Sequence, residues 1–341
     1  MQGHVLERPG EISFRELPRP AAGPDDIVVR VRAALTCGTD VKAFQRGHPK
    51  FPMPTPFGHE FSGEIAEIGA RVRGFREGDA VLAVPTAPCG RCYYCERAQE
   101  NLCETVMETM VLGAYAEYIR LPARIVNINV YPKPRRLPFP VGALLEPLAC
   151  VLHGLESVSL RPDDRVVLLG AGAISSLHLL ALRAMGLQRI VVVGRRPNRA
   201  SFAAQLGADA TFTDGLASAR ERVLTHTRGR GADIVIECTG QLDVWEAAPA
   251  LARRGGQVVL FGGCPAGTQV RIDTQRYHYE QLRIISPFHH TPRAVRRAYD
   301  LLTSDEFEGQ ALISGTYPLK DLSKALNEHH RGAGIKFALV P

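Results

Sequence analysis

Four of the eight cysteines fall within fifteen residues, as Cys89-x2-Cys92-x2-Cys95-x7-Cys103. Thiolates are soft donors, and zinc accepts four of them in a closed tetrahedron. Such a centre orders a lobe that has no apolar core of its own. With every position filled by protein, this zinc is expected to be structural. A second set is dispersed: Cys37 in Thr-Cys-Gly-Thr-Asp, His59 and Glu60 in Phe-Gly-His-Glu, and Glu146 in Leu-Leu-Glu-Pro. One thiolate, one imidazole and carboxylates make the open donor set that a catalytic zinc needs.

A third motif points to a dinucleotide. Gly170-Ala171-Gly172-Ala173-Ile174-Ser175 follows the apolar run 165–169 and opens a helix-like stretch. The first glycine allows a tight turn, the second lets a pyrophosphate approach the backbone, and the helix N-terminus offers free N–H groups to the anion. Ser175 stands where a third glycine is common, and a serine is small enough for strand and helix to pack. The next apolar run ends at Gly194, followed by Arg195, Arg196 and Arg199. An NAD-binding fold usually places Asp or Glu there for the ribose hydroxyls. Here no carboxylate repels a 2′-phosphate, and guanidinium groups fork onto phosphate oxygens. NADP(H) is therefore expected over NAD(H).

These residues need two kinds of scaffold. The first 145 residues are rich in Pro and Gly, with short alternating stretches that read as strands joined by turns. From about residue 160, apolar runs alternate with helix-like segments, the pattern of a parallel sheet covered on both faces. A chain of 341 residues exceeds one compact core. The expected architecture is α/β. A β-rich domain over 1–147 carries the cysteine lobe at about 86–106, a doubly wound parallel-sheet domain covers 148–287, and 288–341 return to the first domain.

The bulk properties narrow the partners. The net charge is +6, but the arginines are spread and form no basic arm, so no nucleic acid is expected. No apolar run is long enough to cross a membrane, and the N-terminus lacks the apolar segment of a secretory signal. A cytoplasmic protein is the expectation. Clustered cysteines in such a chain suggest metal before disulfides.

With these motifs in this order, the chain resembles the zinc-containing medium-chain dehydrogenases, in the branch of sorbitol, threonine and other polyol dehydrogenases. The segments that carry the resemblance are Cys37-Gly-Thr-Asp40, Gly58-His-Glu60, the four-cysteine lobe, Glu146-Pro147 and the dinucleotide motif. It implies a GroES-like catalytic domain and a Rossmann domain. It also implies two zinc ions per chain and a homodimer or homotetramer. By the family pattern Cys37 and His59 are catalytic-zinc ligands, Glu60 is a direct or exchanging ligand, and Glu146 occupies the place of a further carboxylate ligand. Thr39 stands where a hydroxyl hands the substrate proton outward. The histidine often found three residues beyond it is Lys42 here. Cys150, Cys238 and Cys264 fall outside the ligand patterns and read as packing residues.

The implied reaction is hydride exchange between NADP(H) and a secondary alcohol or ketone of a polyol, sugar or cyclitol. Simple alcohols and an amino-alcohol such as threonine are the alternatives. His48, His289 and His290 are candidate hydroxyl binders, and Phe44, Phe57 and Tyr115 candidate pocket walls. Two other classes compete. A zinc-containing nucleotide-sensing module would have no use for an open donor set. A metal-free quinone or enoyl reductase would lack both the lobe and the dispersed ligands.

Overall fold

The computed structural model describes residues 1–48 and 51–341. They form two compact units, Met1–Cys150 with His290–Pro341, and Val151–His289.

The first unit is built on strand Ile27–Leu35, whose inward residues alternate with two exposed arginines at its middle. That period of two presents one face to a core and leaves the other to solvent. The strand pairs antiparallel with Phe61–Ile68 and Tyr118–Leu121. Its far end pairs with the last strand, Lys336–Val340, through Ala338 opposite Leu35. The chain thus returns to its first domain and completes a seven-stranded sheet. Val29, Val31, Phe61, Ile65, Val81, Leu121 and Leu339 share one buried cluster. Each such side chain contributes about 1.5–3 kcal/mol on leaving water.

The cysteine lobe follows strand Ala80–Ala83 and holds only two short 3₁₀ turns, Cys95–Arg97 and Glu100–Leu102. Among residues 86–106 the buried apolar side chains are Ala87, Pro88, Cys103 and Val106. Four such residues do not make a core.

The second unit is a six-stranded parallel sheet. Its spatial order is Ala210–Phe212, Arg189–Val193, Arg165–Leu169, Ala232–Glu237, Ala252–Leu260 and Arg283–Ile285. The strands are nearly continuous apolar runs because both faces are covered. Chain order reverses direction on either side of Arg165–Leu169, and an open α/β sheet binds ligands beyond the strand ends at such a point.

One helical stretch, Phe139–Glu156, is long and apolar enough to cross a membrane by length and composition, yet 72% of it is buried inside the protein. That is the behaviour of a core helix.

Candidate active site

Cys37 caps helix Gly38–Arg46, and its Sγ accepts the N–H of Thr39 at 3.4 Å. A thiol at a helix N-terminus has its anion favoured by the free N–H groups. Burial and the Glu60 carboxylate push the thiol the other way, above its usual range. A cation nearby would decide the matter for the thiolate.

His59 and Glu60 enter on the turn before strand Phe61–Ile68. Gly58 makes that turn with φ +89°, and a Cβ there would lie 2.6 Å from the Tyr115 ring. Glycine is needed on both counts, for the left-handed backbone and for the ring beneath it. Cys37, His59 and Glu60 each bring one donor atom within 4.8 Å of the others. His59 is held from behind: its Nδ1 lies 3.0 Å from Oδ1 of fully buried Asp40, close as an ion pair though not aligned as a hydrogen bond. The Tyr115 hydroxyl donates to Oδ2 of the same carboxylate at 2.7 Å and reaches the Leu35 carbonyl at 2.8 Å. Burial lowers the basicity of His59, but Asp40 and Cys37 outweigh it and hold its pKa well above the usual value.

Glu60 is fully buried, and burial pushes its carboxyl up to about 7 against the pull of Lys336 and His59. Lys336 Nζ donates to Oε2 at 2.5 Å and to the Thr36 carbonyl at 3.1 Å. The other oxygen, Oε1, is buried without a hydrogen-bond partner. An orphaned buried carboxylate oxygen costs free energy unless something positive meets it. A zinc ion fits this trio, which offers one sulfur, one nitrogen and one oxygen.

Glu146 is not among those three mutually close donors, but its carboxylate acts on the same site, helping to raise Glu60. It is buried, and its Oε1 accepts from the Cys150 thiol at 3.5 Å. Burial and the Glu146 carboxylate raise the Cys150 thiol well above its ordinary pKa.

In the lobe, Cys89, Cys92, Cys95 and Cys103 bring their sulfurs within 4.8 Å of one another, and none forms a disulfide. The Sγ–Sγ separations are 3.9 Å for Cys89–Cys95 and 3.5 Å for Cys92–Cys95. A tetrahedron with Zn–S of about 2.3 Å has edges of about 3.8 Å, so the cage suits zinc. Backbone N–H groups of Glu104 and Cys95 pull the Cys92 thiol down to about 6, while burial and neighbouring thiols push Cys95 up to about 12. Four thiolates cannot coexist at this spacing without a cation.

In the second unit, Gly170, Ala171, Gly172, Gly194, Arg195, Arg196 and Arg199 line one cavity of about 600 Å³. Gly170 turns with φ +108°, and Gly172 caps helix Ala173–Ala184. Ala173, Ile174 and Ser175 form the first turn of that helix and do not line the cavity. Ser175 is buried, as the packing of strand on helix requires. The donor set and three guanidinium groups suit a dinucleotide phosphate.

Residues 23–134 match the family described as alcohol dehydrogenase GroES-like domain, and residues 173–304 match zinc-binding dehydrogenase. A solved structure from Sinorhizobium meliloti 1021, assigned as a zinc-binding dehydrogenase and bound to NADP, is 31% identical with a TM-score of 0.90. It covers 100% of this chain, which covers 99% of it. The chain belongs to the zinc-type alcohol dehydrogenases. Sorbitol dehydrogenase of Bacillus subtilis is 27% identical over 96% of this chain and 92% of its own length. D-altritol 5-dehydrogenase of Agrobacterium fabrum is 28% identical over 92% of this chain and 91% of its own length.

Within this zinc-type dehydrogenase several residues stand differently from the sequence expectation. Phe57 and Tyr115 are not pocket walls: both are fully buried, their rings 5.5 Å apart, edge to face. Phe44 packs partly buried against the same core. His290, a candidate hydroxyl binder, is buried, its Nε2 3.4 Å from the Thr86 hydroxyl. His289 is half-buried with φ +59°. His48 lies against Phe51, ring centroids 4.5 Å apart. Two site residues went unread in the sequence. Asp40 carried a signal, a carboxylate three residues after Cys37 on the same helix turn. Lys336 carried a fainter one, a single cation inside the apolar run 335–340.

Proposed function

We propose that this chain exchanges hydride between NADP(H) and a secondary alcohol or ketone of a polyol, sugar or cyclitol, with one catalytic and one structural zinc. The observation that carries the reading is the Cys37–His59–Glu60 trio, whose free Glu60 Oε1 lacks any partner. When bound, the catalytic metal supplies Lewis acidity at the substrate oxygen, and the nicotinamide supplies or takes the hydride.

The chain's own groups do the rest. Cys37 and His59 would hold the metal, the Asp40 carboxylate 3.0 Å behind Nδ1 backs His59 electrostatically, and Tyr115 fixes Asp40. Lys336 holds one oxygen of Glu60 and leaves the other to the metal. Thr39, on the first turn of the helix capped by Cys37, relays the substrate proton, its hydroxyl oxygen accepting that proton while giving its own outward to the cofactor ribose or solvent. Arg195, Arg196 and Arg199 answer a 2′-phosphate, and the NADP bound in the Sinorhizobium structure agrees with that preference. Cys89, Cys92, Cys95 and Cys103 fold the lobe around the second zinc. The polyol class rests on the relatives named for sorbitol and altritol.

The test is the initial rate of nicotinamide reduction with NADP⁺ and NAD⁺ across vicinal polyols, cyclitols, sugars and simple alcohols. Turnover of one polyol or cyclitol with NADP⁺ preferred by about tenfold or more is expected, a difference of roughly 1.4 kcal/mol. Turnover of simple alcohols alone would overturn the substrate class, and a preference for NAD⁺ would overturn the reading of the arginines.

A further inference from the structure

The cysteine lobe is gripped from outside by one helix of the first unit. Helix Ala123–Asn129 buries Ile125 and Val126 in the core of that unit, and its two ends meet the chain on either side of the four cysteines. At one end Asn129 Nδ2 donates at 2.8 Å to the carbonyl of Thr86, ahead of Cys89. At the other, half-buried Arg124 donates from Nη1 to the hydroxyls of Thr105 and Thr109, both at 3.0 Å, just past Cys103. Among the described residues these partners are hydroxyls, and no carboxylate pairs with the guanidinium.

The two hydroxyls are not equivalent. Thr109 gives its one hydrogen to the Thr105 carbonyl at 2.8 Å. Thr105 Oγ1 lies 3.7 Å from Cys103 Sγ. A hydroxyl has one hydrogen and two lone pairs, so with Arg124 on a lone pair the Thr105 hydrogen is left for the sulfur, and a thiolate can only accept it. Four thiolates around a divalent ion leave negative charge in excess. A cation one hydroxyl away polarises the bond to the sulfur and offsets that excess. We propose that Arg124 is a positioning residue for the metal centre of the lobe, its guanidinium acting through the Thr105 hydroxyl to hold the Cys103 sulfur in the cage. The inference rests on the reading of the lobe as a zinc site and extends it beyond the four ligands, to a helix of the domain body.

The experiment is competition for zinc between a chelator and the full chain carrying Cys37→Ala, in which the remaining zinc is that of the lobe. Into this parent are placed Arg124→Gln, Thr105→Val, Thr105→Ser and the Arg124→Gln, Thr105→Val pair, with the melting temperature of each recorded beside its zinc affinity. Partners behind a metal ligand contribute about tenfold to a hundredfold in affinity. Arg124→Gln and Thr105→Val are each expected to weaken lobe zinc by about tenfold. The pair is expected to lose no more than about threefold beyond either, because both act through one chain of hydrogen bonds. Thr105→Ser keeps the hydroxyl and is expected to stay within about threefold of the parent. A residue that only tethers the lobe would lower the melting temperature and leave zinc affinity alone, so an Arg124→Gln protein within about twofold of the parent overturns the proposal. Additive losses in the pair overturn it too, as does a Thr105→Ser protein as weak as Thr105→Val. If Cys37→Ala does not fold, the same variants are compared in the wild-type chain, where a rise in hydrogen exchange across residues 86–106 reports the emptying of the lobe, and the same outcomes decide. A parent whose lobe binds no zinc refutes the zinc reading and this role with it, whereas a lobe that binds zinc equally well without Arg124 refutes the role alone.

Discussion

At the residue scale, the Cys37–His59–Glu60 trio is backed by groups shut away from water, Asp40, Tyr115 and Lys336. Asp40 accepts from Tyr115 on one oxygen and faces His59 with the other. Burial and Asp40 together hold the Tyr115 hydroxyl protonated, its pKa well above the usual value, so it serves as a donor throughout the working pH range. Tyr115→Phe keeps the ring against Phe57 and removes only that donor, which leaves a buried carboxylate oxygen unsatisfied at a cost of about 1–3 kcal/mol. Groups that orient a metal-binding histidine typically contribute about tenfold to a hundredfold in metal affinity. Tyr115→Phe should therefore lose zinc from the trio about tenfold more readily in competition with a chelator, while the lobe zinc stays bound. Lowered thermal stability with unchanged zinc affinity would reduce Tyr115 to a packing residue. Lys336 follows the same logic from the other side, since an ion pair inside protein is costly to break from either end.

At the scale of elements, the cysteine lobe is the piece of chain least able to stand by itself. Its regular structure is two 3₁₀ turns, and Tyr93 and Leu102 are exposed rather than gathered into a core. Zinc binding in comparably small folds supplies roughly 10–16 kcal/mol that is at once folding energy. Cys95→Ser should release the lobe: hydrogen exchange across residues 86–106 rises by about a hundredfold or more, while strands Ile27–Leu35 and Arg165–Leu169 keep their protection. Protection unchanged within the lobe would show that it folds without metal. This lobe was plain in the sequence because four thiols at short spacing have few other uses in a long chain. The parallel sheet was plain as well, since strands covered on both faces must be apolar throughout. What escaped was set by tertiary neighbours. Tyr115 and Phe57 read as aromatics near a cleft, yet the Gly58 turn draws Tyr115 beneath the site and makes it a core residue with a polar end. Lys336 lies 276 residues from Glu60 and meets it only because the last strand pairs with Ile27–Leu35. No local pattern encodes that meeting.

For the molecule as a whole, the two chemistries fall in different units. Cys37, Thr39, His59, Glu60, Glu146 and Lys336 all belong to Met1–Cys150 with His290–Pro341, while the dinucleotide cavity is lined wholly from Val151–His289. Each unit carries its own buried cluster, so the cavity does not depend on the metal trio for its shape. Removing a zinc ligand is then a perturbation of one unit. Cys37→Ala deletes the thiolate and leaves His59 and Glu60 as a two-donor site, too few to hold zinc in competition with water. Turnover of any alcohol should fall by at least about a thousandfold, a loss of roughly 4 kcal/mol of transition-state stabilisation. Binding of NADP⁺ measured by calorimetry should stay within about threefold of wild type, since the cavity is lined wholly by residues of the second unit. Zinc content should drop from two to one per chain, the lobe retaining its own. A Cys37→Ala protein with one zinc and full turnover would remove the trio from the chemistry. Loss of NADP⁺ binding in step with turnover would instead mean that the units are energetically coupled, with the metal trio stabilising the form of the second unit that binds the cofactor.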